Sequence, residues 1–328
     1  MSALKLSVRE DVFQVAGSFT ISRGSRTEIR VVTVELSDGV FTGWGECVPY
    51  PRYDETVDSV IAEIRSIEAE LATGLDRIGL QTRMPAGAAR NAVDCAFWDL
   101  EAKQTGIPVA ERIGVGSLAP ATTAYTLSLG TPESMQVQAA KNAQRPLLKV
   151  KLGADGDLER IEAVRNGAPA STIIVDANEG WTADYYQALA PQFVRLGVAL
   201  VEQPLPAQKD EALKHIERVL PVCADESCHD RATLAALEGK YDLVNIKTDK
   251  TGGLTEAIAL KKAAEDSGYG IMVGCMLGTS LGMAPAFLVA QDVAFVDLDA
   301  PLLLAEDREN AIHYDGSIMT APSRALWG

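Results

Sequence analysis

The second half of the chain contains short β-rich runs that end repeatedly on charged residues of a restricted kind. LLKVKLG carries Lys149 and Lys151, and TIIVDAN ends on Asp176. VALVEQP ends on Glu202, PVCADES on Asp225, LVNIKTD on Lys247, and VAFVDLD on Asp297 and Asp299. Three carboxylates from successive runs, held close together, raise one another's pKa unless a cation sits between them. All-oxygen ligation without His or Cys selects a hard cation, and a partly open site with substrate oxygens suits Mg2+ better than Ca2+. Asp176, Glu202 and Asp225 are therefore expected to hold one divalent ion. Any one of them alone could equally cap a turn, but three in succession argue for joint use. Residues i and i+2 of a strand share a face, so Lys149 and Lys151 point the same way. Adjacent, partly desolvated ammonium groups should depress each other's pKa and make a base near neutral pH.

Such residues need a scaffold that gathers strand ends. Taking Thr126, Lys151, Asp176, Glu202, Asp225, Lys247, Gly274 and Asp297 as markers, the steps are 25, 25, 26, 23, 22, 27 and 23 residues. Helical stretches follow most runs. Eight strands alternating with helices imply parallel units, and eight closes a barrel whose strand C-termini share one mouth. An open doubly wound sheet would usually show a Gly-rich first turn, which is lacking here. Lys247, four strands round from Lys151, should approach from the opposite side, as a two-base proton transfer requires. The repeat is compact against the roughly 250 residues usual for this barrel, so the last helix should be short or missing. The expected fold is thus α/β, a (β/α)8-type barrel over 119–300 behind an N-terminal α+β capping domain over 1–118. In that cap, strand-like LKLSVREDVF precedes a polar loop, ISRGSRTE, near 19–27. A hairpin turning at Asp38-Gly39 follows, then helices near 54–73 and 85–105. The segment 301–328, with a turn signal at Asp315-Gly316, should return to the cap.

Composition narrows the function classes. Thirty Lys+Arg against forty-five Asp+Glu leave a net charge of −15, which repels nucleic acid and anionic membrane. No uncharged apolar run approaches the roughly 18 residues of a membrane span. The opening residues show no secretory signal, and five scattered cysteines without a CxxC fit a reduced cytoplasm. Three scattered histidines leave acid–base chemistry mainly to Lys, Asp, Glu or Tyr. The oligomeric state is open, a homo-oligomer included.

The pieces LKVKLG, VDAN, VEQP, ADES and NIKTDKTGG resemble the enolase superfamily, specifically its muconate-lactonising subgroup, and the resemblance spans the whole chain. It implies Asp176, Glu202 and Asp225 as Mg2+ ligands, Lys151 and Lys247 as the acid/base pair, and Lys149 as support for developing negative charge. Asn178 is either a supporting group or a turn residue. Removing a proton next to a carboxylate creates a dianion, and a divalent cation and an ammonium at its oxygens lower that cost. The DxD of Asp297 and Asp299 resembles that of dipeptide epimerases, where it holds a dipeptide's N-terminus. Arg23 and Arg26 lie where a basic residue binds a glutamate side chain in members acting on Ala-Glu, a dipeptide released from the cell wall; Arg23 is the preferred of the two. The expected activity is epimerisation of such a dipeptide.

Other readings compete. Sister reactions (muconate cycloisomerisation, o-succinylbenzoate synthesis, N-acylamino acid racemisation) use substrates without a free ammonium, against Asp297 and Asp299. A Schiff-base aldolase needs no three-carboxylate site. A peptide-binding protein has no use for opposed lysines.

Overall fold

The computed structural model describes residues 3–153 and 155–328. Two long antiparallel strands, β1 (Lys5–Ile21) and β2 (Gly24–Ser37), and a shorter β3 (Thr42–Cys47) form a sheet in that order. The β1–β2 register runs from Lys5↔Ser37 to Ile21↔Gly24. The segment ISRGSRTE is therefore not the loop its polarity suggests. It is the tip of a ribbon, turning at Ser22 and Arg23, whose pairing partners satisfy the backbone whatever the side chains. The register shifts between Gln14 and Phe19, and Leu129 N donates to Thr20 O at 3.0 Å, anchoring the tip to the barrel.

Helices α1 (Val57–Ser66), α2 (Glu68–Thr73), α3 (Arg77–Arg83) and α4 (Ala88–Thr105) complete the cap. The stretch expected near 54–73 is two helices, and α3 is an addition to the two expected. Gly43 and Gly45 of β3 let α4 approach to backbone contact: a Cβ at Gly45 would stand 2.0 Å from Ala92 O, and one at Gly43 2.1 Å from Ala96 O. The other side of α4 faces the barrel, where Trp98 Nε1 donates to Thr255 Oγ1 at 2.9 Å. Hence α4 is buried nearly all round instead of presenting one apolar stripe.

After α5 (Val109–Arg112) and β4 (Ala121–Thr122) come the barrel strands: β5 (Tyr125–Leu127), β6 (Leu147–Lys151), β7 (Thr172–Asp176), β8 (Val198–Glu202), β9 (Val222–Ala224), β10 (Leu243–Ile246), β11 (Gly270–Gly274) and β12 (Phe295–Asp297). All neighbours pair in parallel and in chain order. Between β5 and β12 the circle is closed by a parallel bridge, Thr123 to Val296, and by Ala124 N donating to Val296 O at 2.8 Å. Helices α6 (Pro132–Lys141), α7 (Asp157–Gly167) and α8 (Ala183–Arg195) follow β5, β6 and β7. The crossovers after β8 and β9 are 3-10 segments over 207–214 and 231–237. Helices α9 (Thr248–Thr251) and α10 (Leu254–Asp266) follow β10, and α11 (Ser280–Val289) follows β11. After β12 there is only a four-residue 3-10 turn over 300–303, the short last helix that the compact repeat implies.

Period-2 alternation sorts the barrel residues. Leu148, Val150, Ile173, Val175, Val244 and Val273 join the core shared with the helices. Leu147, Ile174, Leu200, Cys223, Leu243 and Met272 fill the barrel's interior. Two residues beyond five of these come Lys149, Asp176, Glu202, Asp225 and Asn245, so a polar layer lies directly above an apolar floor. The C-terminal segment carries a small hairpin, β13 (Tyr314–Asp315) with β14 (Ile318–Met319), which pairs with β4. Farther on, Trp327 Nε1 donates to Cys95 O on α4 at 3.0 Å. No described helix is long and apolar enough to cross a membrane.

Candidate active site

The lysines and carboxylates expected at the mouth meet there as one buried ion network. Lys149 Nζ lies 2.5 Å from Glu202 Oε2, 2.7 Å from Asp297 Oδ2 and 3.4 Å from Asp176 Oδ2. Lys151 Nζ lies 2.6 Å from Asp176 Oδ2, and Lys247 Nζ 2.7 Å from Asp225 Oδ2 and 3.9 Å from Glu202 Oε1. Asp299 Oδ2 accepts the Thr126 amide at 2.6 Å.

This geometry reverses one expectation. Burial alone would lower the Lys149 pKa, but Asp297, Glu202 and Asp176 hold it well above the ordinary lysine value. Burial likewise works against the Lys247 ammonium, and Asp225 and Glu202 outweigh it, raising its pKa. Mutual repulsion between lysines is thus smaller than the attraction of the carboxylates around them. Burial and Asp176 push Glu202 up to about 7 in spite of Lys149. Burial also works on Asp176 and Asp225, but Lys151 with Lys149, and Lys247 with Lys250, hold them below the usual carboxylate range. Burial and the neighbouring Asp297 bring Asp299 to about 7.

Two adjoining cavities occupy the mouth. One, of about 90 Å3, is lined by Lys151, Lys247, Asp225, Asn178, Arg23 and Arg26. The other, of about 40 Å3, is lined by Lys149, Lys151, Thr126, Asp297 and Asp299. Lys151 and Phe19 belong to both. The hairpin tip supplies both arginines, and their surroundings differ. The Arg23 guanidinium donates to Glu226 Oε1 at 2.9 Å, Tyr50 OH at 2.8 Å and Asn178 O at 3.1 Å. The Arg26 guanidinium makes no hydrogen bond or ion pair with the described residues and lies near the Tyr50 ring, 6.0 Å from its centroid.

Several residues around the network escaped the sequence reading. Asn245 Nδ2 donates to Glu202 Oε1 at 2.7 Å. Gln203 Oε1 accepts the Asp225 and Ser227 amides at 2.9 and 3.1 Å. Lys250 Nζ donates to Asp225 Oδ1 at 2.6 Å. Each stands inside a motif already singled out, and the i−2 spacing of Asn245 from Lys247 was the available signal. Asn178 donates its backbone N–H to Asp176 Oδ1 at 2.9 Å and has a φ of 45°, which fits a turn residue.

The chemistry of the donors fits a hard divalent cation. Asp176, Glu202 and Asp225 are buried, come from adjacent strands, and Asp176 pairs with Glu202 in register. Glu202 Oε2 has no hydrogen bond of proper geometry although Lys149 is beside it. As placed, no group of three such side chains among the described residues is gathered around a metal position. The lysine ammoniums stand between the carboxylates and supply the positive charge.

A closed eight-strand barrel under an α+β cap, with this lysine–carboxylate mouth, defines an enolase-type enzyme. The chain belongs to the mandelate racemase/muconate lactonizing enzyme family: residues 3–114 match its N-terminal domain, and residues 134–324 match the enolase C-terminal domain-like model. Among particular proteins, it is 48% identical over 94% of its length to the L-Ala-D/L-Glu epimerase of Escherichia coli K12, of which 97% is covered. It is 44% identical over 91% of its length to an N-acetyl-D-glutamate racemase from a Pseudoalteromonas species, 95% covered. It superposes with a TM-score of 0.98, at 54% identity and covering 99% and 100% of the two chains, on an Agrobacterium tumefaciens enolase family member with homology to dipeptide epimerases, solved with sodium and L-Ala-L-Glu. Several solved dipeptide epimerases of similar fold are complexed with Mg and a dipeptide.

Proposed function

We propose that this enzyme interconverts L-Ala-D-Glu and L-Ala-L-Glu, removing the glutamate α-proton on one face and returning a proton on the other. The observation that carries this reading is the polarity of the two adjoining cavities. Acidic Asp297 and Asp299 lie at one end, Arg26 at the other, and Lys151 and Lys247 between them. A free ammonium suits the aspartates, and an acidic side chain suits Arg26. Lys151 and Lys247 end strands four apart in a barrel of eight, so they face each other across a ligand.

Asp176, Glu202 and Asp225 would hold one divalent ion, Mg2+ by their chemistry, which would supply positive charge to offset the negative charge of the deprotonated substrate. Lys149 adds an ammonium on the same side, which stabilises the negative charge that builds there as the proton leaves. Of Lys151 and Lys247, one must be a neutral amine and accept the α-proton while the other, charged, delivers its own. The roles exchange when the opposite epimer binds. Asp225 favours the ammonium form of Lys247, and a cation held by the same carboxylate would weaken that preference. The hairpin tip, with Phe19 and Arg26, covers the mouth and keeps water from the reacting carbon. Five free thiols suit a reducing cytoplasm for such an enzyme.

The 44% identity to an N-acetyl-D-glutamate racemase favours a second reading, racemisation of an N-acylated glutamate. Asp297 and Asp299 oppose it, having no ammonium to meet. Incubating the enzyme with Mg2+ in D2O and either L-Ala-D-Glu or N-acetyl-D-glutamate separates the two, scored by mass gain at the α-carbon. Faster exchange into N-acetylglutamate would overturn the dipeptide assignment. Lys151→Ala and Lys247→Ala should each abolish epimerisation, with exchange surviving for at most one epimer; retained epimerisation in either would show the bases misassigned.

A further inference from the structure

The fourth lysine of the network does not face the cavities. Lys250, on α9, has a side chain with 0% exposure. Its Nζ donates to Asp225 Oδ1 at 2.6 Å, to Asp225 O at 2.6 Å and to Asn245 O at 2.9 Å. An ammonium has three N–H groups, so every donor is engaged, and two of the acceptors are backbone carbonyls that cannot turn away. Lys247 holds the other oxygen of the same carboxylate on different terms. It makes one hydrogen bond, to Asp225 Oδ2 at 2.7 Å, and its side chain lines the larger cavity. The two oxygens of Asp225 are therefore not equivalent: Oδ2 is held by a lysine that can withdraw, and Oδ1 by one that cannot.

We infer that Lys250 is a selectivity-determining residue for the cation site, keeping Asp225 Oδ1 from the metal so that Asp225 offers a single oxygen. This rests on the reading that Asp225 is a metal ligand. A carboxylate confined to one oxygen suits the small, octahedral Mg2+, whereas Ca2+ takes six to eight oxygens and readily accepts both oxygens of one carboxylate. Lys250 acts through Asp225 and touches neither substrate nor the reacting carbon; it is a positioning residue. Removing its charge would strengthen the attraction for every divalent cation alike, but only the release of Oδ1 changes the preference between a small and a large ion. The affinity ratio isolates that second effect.

The test is calorimetric titration of metal-free wild type and Lys250→Met with Mg2+ and with Ca2+. The expected result is a Ca2+:Mg2+ affinity ratio about tenfold or more higher in the variant. A ratio within twofold of wild type overturns the inference. Absence of binding of either cation to wild type overturns the metal-site reading beneath it, a different failure that is seen before any variant is made. Because Lys250→Met leaves Asp225 Oδ1 buried without its partner and can unfold, a crystal structure of Ca2+-loaded wild type is the second measurement. It should show Asp225 ligating through Oδ2 alone with Lys250 still on Oδ1, and two-oxygen ligation by Asp225 would overturn the inference.

Discussion

Arg23 spends its guanidinium on Glu226, Tyr50 and Asn178, whereas the guanidinium of Arg26, three residues on, lines the same cavity with no partner among the described residues. Their replacements should therefore fail in different ways. Arg26→Ala should lower kcat/KM for Ala-Glu about ten- to a hundred-fold, the effect of about 1–3 kcal/mol for a charged group left unpaired, with little effect on Ala-Leu. Arg23→Ala should depress all dipeptides alike and lower Tm, because it strips the buried Glu226 carboxylate of its cation. The opposite pattern, selective loss from Arg23→Ala, would return the side-chain assignment to Arg23. At the other end, Asp297→Ala removes a partner of Lys149 as well as of the substrate ammonium, so it should harm free dipeptides severely.

Two elements carry the joint between cap and barrel. Strand β3 lies so close to α4 that Gly45→Ala would drive a methyl into Ala92 O, and the backbones must separate. About 1–3 kcal/mol of destabilisation is expected from such overpacking, measured by urea unfolding. On the opposite side of α4, Asp94 accepts hydrogen bonds from Gln81 Nε2, Thr255 Oγ1 and Thr255 N at 2.7, 2.6 and 3.0 Å. Burial pushes its carboxyl up to about 6 despite those bonds. The unfolded chain loses that proton near 3.8, so between pH 4 and 6 the native state binds a proton that the unfolded state does not. Stability from this group is thus full below pH 4 and falls as pH rises to 6. Asp94→Asn has no such titration. Its stability relative to wild type should climb across that window by about 3 kcal/mol and stay level above pH 7. A difference independent of pH in chemical denaturation would refute the shifted carboxyl, whatever the constant offset from altered hydrogen bonds.

For the molecule as a whole, the strand ends concentrate negative charge that the lysines offset only in part, within a chain already at −15. A cation bound by the native mouth alone stabilises the fold by mass action, about 2.7 kcal/mol at a hundredfold excess over Kd. In a protein of 328 residues that corresponds to roughly 4 °C in Tm. Scanning calorimetry should show Tm rising with Mg2+ and returning on chelation, in parallel with turnover. An unchanged Tm together with full activity in chelator would remove the metal from the mechanism.

The barrel could be read from the chain because its signals are local. Strand ends recur every 22–27 residues, and spacing of two places Lys149 with Lys151 and Asp297 with Asp299 on shared faces whatever surrounds them. The polar layer above the apolar floor follows from that same alternation. What the tertiary structure alone decided depends on partners far along the chain. The β1–β2 tip reads as a loop by its polarity, yet Phe19, Thr20 and Ile21 pair with Arg26, Ser25 and Gly24 and carry the long ribbon through it, anchored to the barrel by Leu129. Arg23 looks as free as Arg26 until Glu226 arrives from 203 residues away. Neighbouring lysines suggest lowered pKa values, but carboxylates from four other strands surround Lys149 and raise its value instead. Lys250 and Asn245 read as ordinary polar residues, and only barrel closure sets them on Asp225 and Glu202, because an electrostatic sum belongs to the assembled mouth and to no single segment.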